Sequence, residues 1–309
     1  MYKVSIVTVS HFSRANFLKI LFKCIKTQDY SDILEWIIID ASIAKQSISN
    51  LENIVNDFKN NFLPKIIYHK SEKKYIGAWR NEYNKLANGD IILCMDDDDY
   101  YPPQRISHAI DVLSTRKNLI VGCDKIFMYD IHYDKVYQMK GFTPNHSTNN
   151  CMAYWKEYLI NHTYDETVSH AEENSFTNNF SEPMGQLDPL KTVIQINHGT
   201  NTFNKKIIIY QNYFLPPEQK YLLEKNITFH DWVLDKNIYE DYHNIFKDLR
   251  TPVKTLYDIV YFTGGYSVQW SPLEKDLGGS EQAVKHLASE WVATSIHVSL
   301  YLLILLVNR

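Results

Sequence analysis

Cysteine is scarce in this chain. Only Cys24, Cys94, Cys123 and Cys151 occur in 309 residues, and their wide spacing fits neither a metal knuckle nor a disulfide framework. A reducing compartment is therefore expected. Positive charge is not in excess either: 32 Lys and Arg stand against 36 Asp and Glu, a net charge of −4. Nucleic acid is an unexpected partner, because it calls for a basic patch that displaces counterions. Long apolar runs are missing too. The longest late one, Ile296 to Val307, is broken by His297 and Ser299 and falls short of the ~20 residues of a membrane helix. Only Lys3 precedes the first apolar segment, so no cleavable leader is expected and the expected location is cytoplasmic. The remaining composition, 45% hydrophobic and 22% charged, suits a globular protein with one large domain and an appendage.

What is present in quantity is negative charge at one point. Asp96, Asp97, Asp98 and Asp99 follow directly on Ile91-Ile92-Leu93-Cys94-Met95, where a buried strand would deliver four carboxylates to one sheet edge. Two unit charges ~5 Å apart repel by roughly 3 kcal/mol at an effective dielectric near 20, so the cluster needs a cation, basic groups or water. In an extended chain Asp96 and Asp98 point one way, Asp97 and Asp99 the other. One face would take a divalent metal and the other would accept hydrogen bonds from sugar hydroxyls. Oxygen ligands suit Mg²⁺, Mn²⁺ or Ca²⁺ and argue against zinc. The glycine and distal glutamate of an EF-hand loop are missing.

Up to about residue 125 the pattern alternates. Strands are expected at Val4 to Val9, Trp36 to Ile39, Lys65 to Tyr68 and Ile91 to Met95, with helices through Phe17 to Ile25, Leu51 to Phe58, Ala78 to Ala87 and Ile106 to Leu113. Such alternation implies a parallel sheet that binds ligands at the carboxyl ends of its strands. From 119 to 215 strands are expected at Ile120 to Gly122, Ile126 to Tyr129, Lys135 to Gln138 and Thr192 to Ile196, and helices at Cys151 to Tyr158 and Glu172 to Asn179. The expected division is a domain over 1–217, a helical linker over 218–251 and an incomplete strand-loop-helix unit over 252–309.

Three stretches carry a resemblance. They are Tyr75-Ile76-Gly77-Ala78-Trp79-Arg80-Asn81, Ala87-Asn88-Gly89-Asp90-Ile91-Ile92 and Met95 to Pro102. With Val7-Thr8-Val9-Ser10 and Trp36 to Ser42 before them, they resemble in order and spacing the signature of family 2 glycosyltransferases of the GT-A fold. The resemblance covers about residues 1–215. It implies an α/β Rossmann-like mixed sheet flanked by helices, and transfer of a sugar from a nucleotide-sugar donor, a UDP-sugar, to an acceptor hydroxyl on a glycan, protein or lipid. Mn²⁺ or Mg²⁺ would assist, and the reaction would invert the anomeric centre.

Carried over to this chain, Thr8, Ser10 and Asp40 would line the nucleotide base. Arg80 would approach the base or diphosphate, Asp96 and Asp97 would hold the ribose side, and Asp98 would ligate the metal. The family often has two acids after its second strand, whereas this chain has Asp40-Ala41, which puts base recognition through a second acid in doubt. His170 to Phe176 resembles the segment that holds the family's general base, which would be Glu173, with Glu172 as second choice. His198, late in the domain, would be a further metal ligand. Trp155, Trp232 and Trp270 are candidates for sugar stacking, with core packing the simpler role.

A sugar nucleotidyltransferase shares the sheet and the metal carboxylates, but would want a glycine-rich phosphate loop where this chain has Ser10-His11-Phe12-Ser13-Arg14. A catalytically inactive binding module is the other alternative. Residues 258–290, through Phe262-Thr263-Gly264-Gly265 and Leu277-Gly278-Gly279-Ser280-Glu281, weakly resemble the first strand, glycine loop and helix of a GT-B glycosyltransferase.

Overall fold

Apolar runs too short to be helices, each followed by an amphipathic helix, build the first half of the molecule. The computed structural model describes residues 1–42, 50–62, 64–199 and 215–249, together with Asn201, Lys205, Ile208, Ile209 and Asn212. Strands β1 (Val4–Ser10), β2 (Ile33–Asp40), β3 (Lys65–Lys70) and β4 (Ile91–Cys94) alternate with helices α1 (Ala15–Lys26), α2 (Asn50–Lys59), α3 (Ile76–Leu86) and α4 (Arg105–Ser114). The four strands pair in parallel in the order β3-β2-β1-β4, as the alternation predicts. Their two faces feed two cores. Val4, Ile6, Trp36, Ile38, Ile91 and Leu93 pack with Leu18, Leu21 and Ile25 of α1. Val7, Ile37, Ile39, Ile92 and Cys94 pack with Tyr83 of α3 on the other face. Each fully buried aliphatic side chain contributes roughly 1.5–3 kcal/mol.

The second half extends this sheet and adds another. Strands β5 (Ile120–Gly122), β8 (Ala153–Trp155) and β9 (Gly185–Gln186) continue it beyond β4 in the order β8-β5-β9. Strands β6 (Phe127–Asp130), β7 (Lys135–Met139), β10 (Ile194–Asn197) and β11 (Leu222–Lys225) form a four-stranded sheet in the order β10-β6-β7-β11. The two sheets touch where Tyr100 and Ile194 exchange backbone hydrogen bonds of 3.1 and 3.0 Å. Among the described residues, three short or late helices follow: α5 (Glu173–Phe176), α6 (Phe229–Trp232) and α7 (Lys236–Leu249).

Several expectations are corrected. The helix expected over 151–158 is a 3-10 turn at Asn149–Cys151 followed by β8, because antiparallel pairing of Ala153 with Leu93 completes the ladder of β4. The helix expected over 172–179 ends at Phe176, since Asn178, Asn179 and Phe180 all take positive φ near 50°, which no right-handed helix accepts. The linker expected over 218–251 is not wholly helical and not a linker. Its residues 222–225 are β11, paired with β7, and Tyr242 and Phe246 of α7 are buried against Phe229. The compact unit runs from Met1 to Pro252, without a boundary at 217. The expected strand, glycine loop and helix of 252–309, and Trp270 within them, lie outside the described residues. Trp155 and Trp232 pack against the core, the first donating to the Leu113 carbonyl at 3.2 Å and the second with its ring tilted by 59° at 4.3 Å from that of Phe127. No helix among the described residues is long and apolar enough to cross a membrane.

Candidate active site

The parallel register sets Ser10 beside Asp40 and Asp40 beside Lys70 at one sheet edge. Asp40 is held from two sides: the Ser42 amide donates to Oδ1 at 2.9 Å and the Tyr68 hydroxyl to Oδ2 at 2.5 Å. The Phe12 amide in turn donates to the Ser42 hydroxyl at 2.9 Å, folding the chain after β1 over this corner. Ser10 donates its hydroxyl to Asp97 at 2.7 Å. Thr8 departs from its expected role. Its side chain points into the core, where its hydroxyl accepts from Trp36 Nε1 at 2.9 Å and the residue is 1% exposed.

The four aspartates do not alternate as an extended chain would. Strand β4 stops at Cys94 and the backbone turns at Asp97 and Asp98, so these two share one partner, Arg14, whose Nη1 lies 3.1 Å from a carboxylate oxygen of each. Asp98 Oδ2 also faces His198 Nε2 at 3.0 Å. Burial alone would raise the Asp98 carboxyl, but Arg14 and then His198 outweigh it and hold it well below the ordinary carboxylate range. Asp97, fully enclosed, is pushed up to about 7 by burial despite Arg14. It is an internal anchor of the turn, not an exposed ribose contact, whereas a third of the Asp96 side chain is exposed. Asp99 leaves the cluster altogether. It accepts from Asn150 Nδ2 at 2.5 Å and from the Ile196 amide at 2.9 Å, and burial pushes it up to about 8. That bond to β10 fixes the strand whose end carries His198, which explains why two residues a hundred positions apart meet.

Across from the turn lies the loop of the two glutamates. Gly77 at the start of α3 lets this loop approach: a Cβ there would sit 1.9 Å from the Asp165 carbonyl oxygen. Asn81 reads the Tyr164 backbone on both sides, accepting its amide at 3.0 Å and donating to its carbonyl at 2.9 Å. Ala171, at φ 55°, turns the chain sharply into Glu172, a conformation that costs a residue with a Cβ about 1–3 kcal/mol. Arg80, expected near the base or diphosphate, is buried between carboxylates instead. Its Nε donates to Glu172 at 2.6 Å and its Nη1 lies 3.7 Å from Asp96. Glu172 is 4% exposed and committed to that ion pair. Glu173 is half-buried, accepts the Asn149 amide at 3.0 Å, and is pushed up to about 7 by burial and by the Glu172 charge.

The donor set decides what cation could sit here. Among the described residues no three His, Cys, Asp or Glu side chains cluster to hold a metal unaided. Asp98 and His198 supply one oxygen and one nitrogen that converge at 3.0 Å. Two protein ligands fit an ion that takes its other ligands from a bound diphosphate and water, the usual arrangement for Mg²⁺ at phosphate substrates. Arg14 and Tyr68 went unnoticed in the sequence. The only signal for Arg14 was its place in the polar turn after the first strand.

An open, mostly parallel α/β sheet flanked by helices, with a second small sheet beside it, is the GT-A fold. The chain belongs to Glycosyl transferase family 2, whose profile matches residues 5–171, more than half of it, and it is a glycosyltransferase. In structure it is similar to S. aureus TarS 1-349 in complex with UDP-GlcNAc, at 15% identity and a TM-score of 0.50 over 71% of this chain and 69% of that one. The same fragment without the sugar nucleotide gives 15%, 0.49, 71% and 68%. The mannosyltransferase PcManGT from Pyrobaculum calidifontis, in complex with GDP-Man and Mn²⁺, gives 14%, 0.49, 68% and 61%. No curated protein matches the chain.

Proposed function

We propose that this protein transfers a sugar from a UDP-sugar to an acceptor hydroxyl by a metal-dependent, inverting single displacement. The observation that carries the reading is the Arg80 guanidinium, which touches Asp96 on one side and Glu172 on the other. One residue thereby ties the candidate donor turn to the loop of the candidate base. A divalent ion on Asp98 and His198 would supply Lewis-acid stabilisation of the departing diphosphate. Asp96 faces the ribose side. Asp40, beside Ser10 at the sheet edge, is the residue for the base corner, and its carboxylate suits a nucleobase that presents a ring N–H, as uracil and guanine both do. The choice of uracil follows the UDP-GlcNAc found with TarS.

Glu173 takes the proton of the acceptor hydroxyl. Its raised carboxyl is matched to that task near neutrality, whereas Glu172, locked on Arg80, holds the loop in place and is unavailable as a nucleophile. With Glu173 acting as base and not as nucleophile, the acceptor oxygen itself attacks in a single displacement and the anomeric centre inverts. A panel of nucleotide sugars tested by thermal shift with and without Mn²⁺ checks the reading. A UDP-sugar should give the largest Mn²⁺-dependent stabilisation. A larger response to a GDP-sugar would move the donor class, and the lack of any metal-dependent response would overturn the proposal.

A further inference from the structure

Three nitrogen donors converge on one carboxylate oxygen. Asp98 Oδ2 lies 3.1 Å from Arg14 Nη1, 3.0 Å from His198 Nε2 and 3.4 Å from Asn201 Nδ2. A cation held by Asp98 and His198 takes the place of the hydrogen bond between them, and since a carboxylate oxygen offers about two lone-pair sites, Arg14 and Asn201 cannot both stay on Oδ2. His198 stays as the second ligand, its side chain fully enclosed and its ring 4.7 Å from Phe17. Asn201 is tied to the Ile196 carbonyl at 2.9 Å. Arg14 has the means to move: it stands at the end of a short 3-10 turn, Phe12–Arg14, its side chain is 20% exposed, and the two carboxylates beneath it are 0% and 8% exposed. It is the long, rotatable, outermost member of the group.

We infer that Arg14 is a built-in counter-cation that competes with the divalent ion for Asp98 Oδ2. By itself it offsets the charge of the Asp97–Asp98 pair, 3.1 Å from an oxygen of each, and so eases the burial of two adjacent carboxylates. When a metal takes the oxygen, repulsion between the two cations turns the guanidinium outward, where it can meet a diphosphate, an anion it suits. Metal uptake is thereby weak alone and favoured when a diphosphate arrives with it. The inference rests on the reading of Asp98 and His198 as the metal pair.

The test is Mn²⁺ binding to the full chain without nucleotide, followed by the electron paramagnetic resonance signal of unbound Mn²⁺. Arg14→Met should bind Mn²⁺ about tenfold tighter than wild type, within the usual range of coupling between ligands. Arg14→Lys, which keeps the charge, should stay near wild type. Arg14→Gln, which keeps reach and N–H donors without charge, takes the place of Arg14→Met should circular dichroism show that the latter fails to fold. Unchanged or weaker Mn²⁺ binding in the charge-removing variants, with wild type still taking up Mn²⁺ alongside UDP, overturns the inference and leaves the proposed function standing. Failure of wild type to take up Mn²⁺ even with UDP overturns the metal reading and this inference together.

Discussion

Glu173 should set the pH dependence of transfer. Burial, and after it the Glu172 charge, pushes its carboxyl up to about 7, and a base works only when ionised. As pH falls through that value the group protonates, so kcat/KM should drop on the acid side with a slope of one, to about one tenth of its plateau at pH 6. An unperturbed glutamate, near 4.3, would keep the rate flat over the same range, so the position of the limb separates the two cases by more than two pH units. Glu172→Gln removes the like charge and leaves burial in place, which should move the limb to lower pH. Glu173→Gln should cut transfer roughly 10²- to 10⁴-fold with donor affinity little changed. The assay is release of nucleoside diphosphate between pH 5.5 and 9 at saturating Mn²⁺. A flat profile from pH 5.5 to 8 in the wild type, or an intact limb in Glu173→Gln, would refute the assignment.

Thr8→Val should lower stability by about 1–3 kcal/mol, the cost of leaving the buried Trp36 N–H unsatisfied, with UDP affinity unchanged; urea unfolding and a UDP titration check both halves. Arg80→Met strands the buried Glu172 carboxylate and should cost about 3–5 kcal/mol. Part of that loss should return in Arg80→Met/Glu172→Leu, as a double-mutant cycle would show, whereas strictly additive losses would deny the pairing. A chain ending at Pro252, the edge of the first compact unit, should fold and retain donor binding. Loss of cooperative unfolding in it would show that later residues are part of the catalytic unit.

The parallel half of the sheet was legible because each of its strands is an apolar run too short for a helix, followed by a 3.6-residue stripe. The acidic cluster was legible for the same reason: a strand must end where four carboxylates begin. Which way the carboxylates face was not. Alternation holds only while the strand lasts, and the turn at Asp97 and Asp98 puts both on Arg14, a partner 83 and 84 positions earlier that no local pattern announces. Thr8 was misplaced by a related blindness, since strand periodicity says that alternate residues share a face but not which face meets the core, and Trp36 decides it. Short elements were lost to tertiary context. Ala153 to Trp155 and Leu222 to Lys225 became strands because β4 and β7 offered unpaired edges, although neither segment announces a strand by itself. Glu172 and Glu173 could be recognised as a pair, while the division of labour proposed for them follows from Arg80 and the Asn149 amide, both remote in sequence.

A divalent ion on Asp98 and His198 that binds the donor diphosphate is what the proposed function stands on. Calorimetric titration of UDP into the full chain, with and without Mn²⁺, and again on Asp98→Asn, a variant of the same shape without the charge, decides it. Mn²⁺ should strengthen UDP binding to the wild type, and this strengthening should disappear in Asp98→Asn while the variant still unfolds cooperatively. Undiminished Mn²⁺-dependent UDP binding in Asp98→Asn would contradict it.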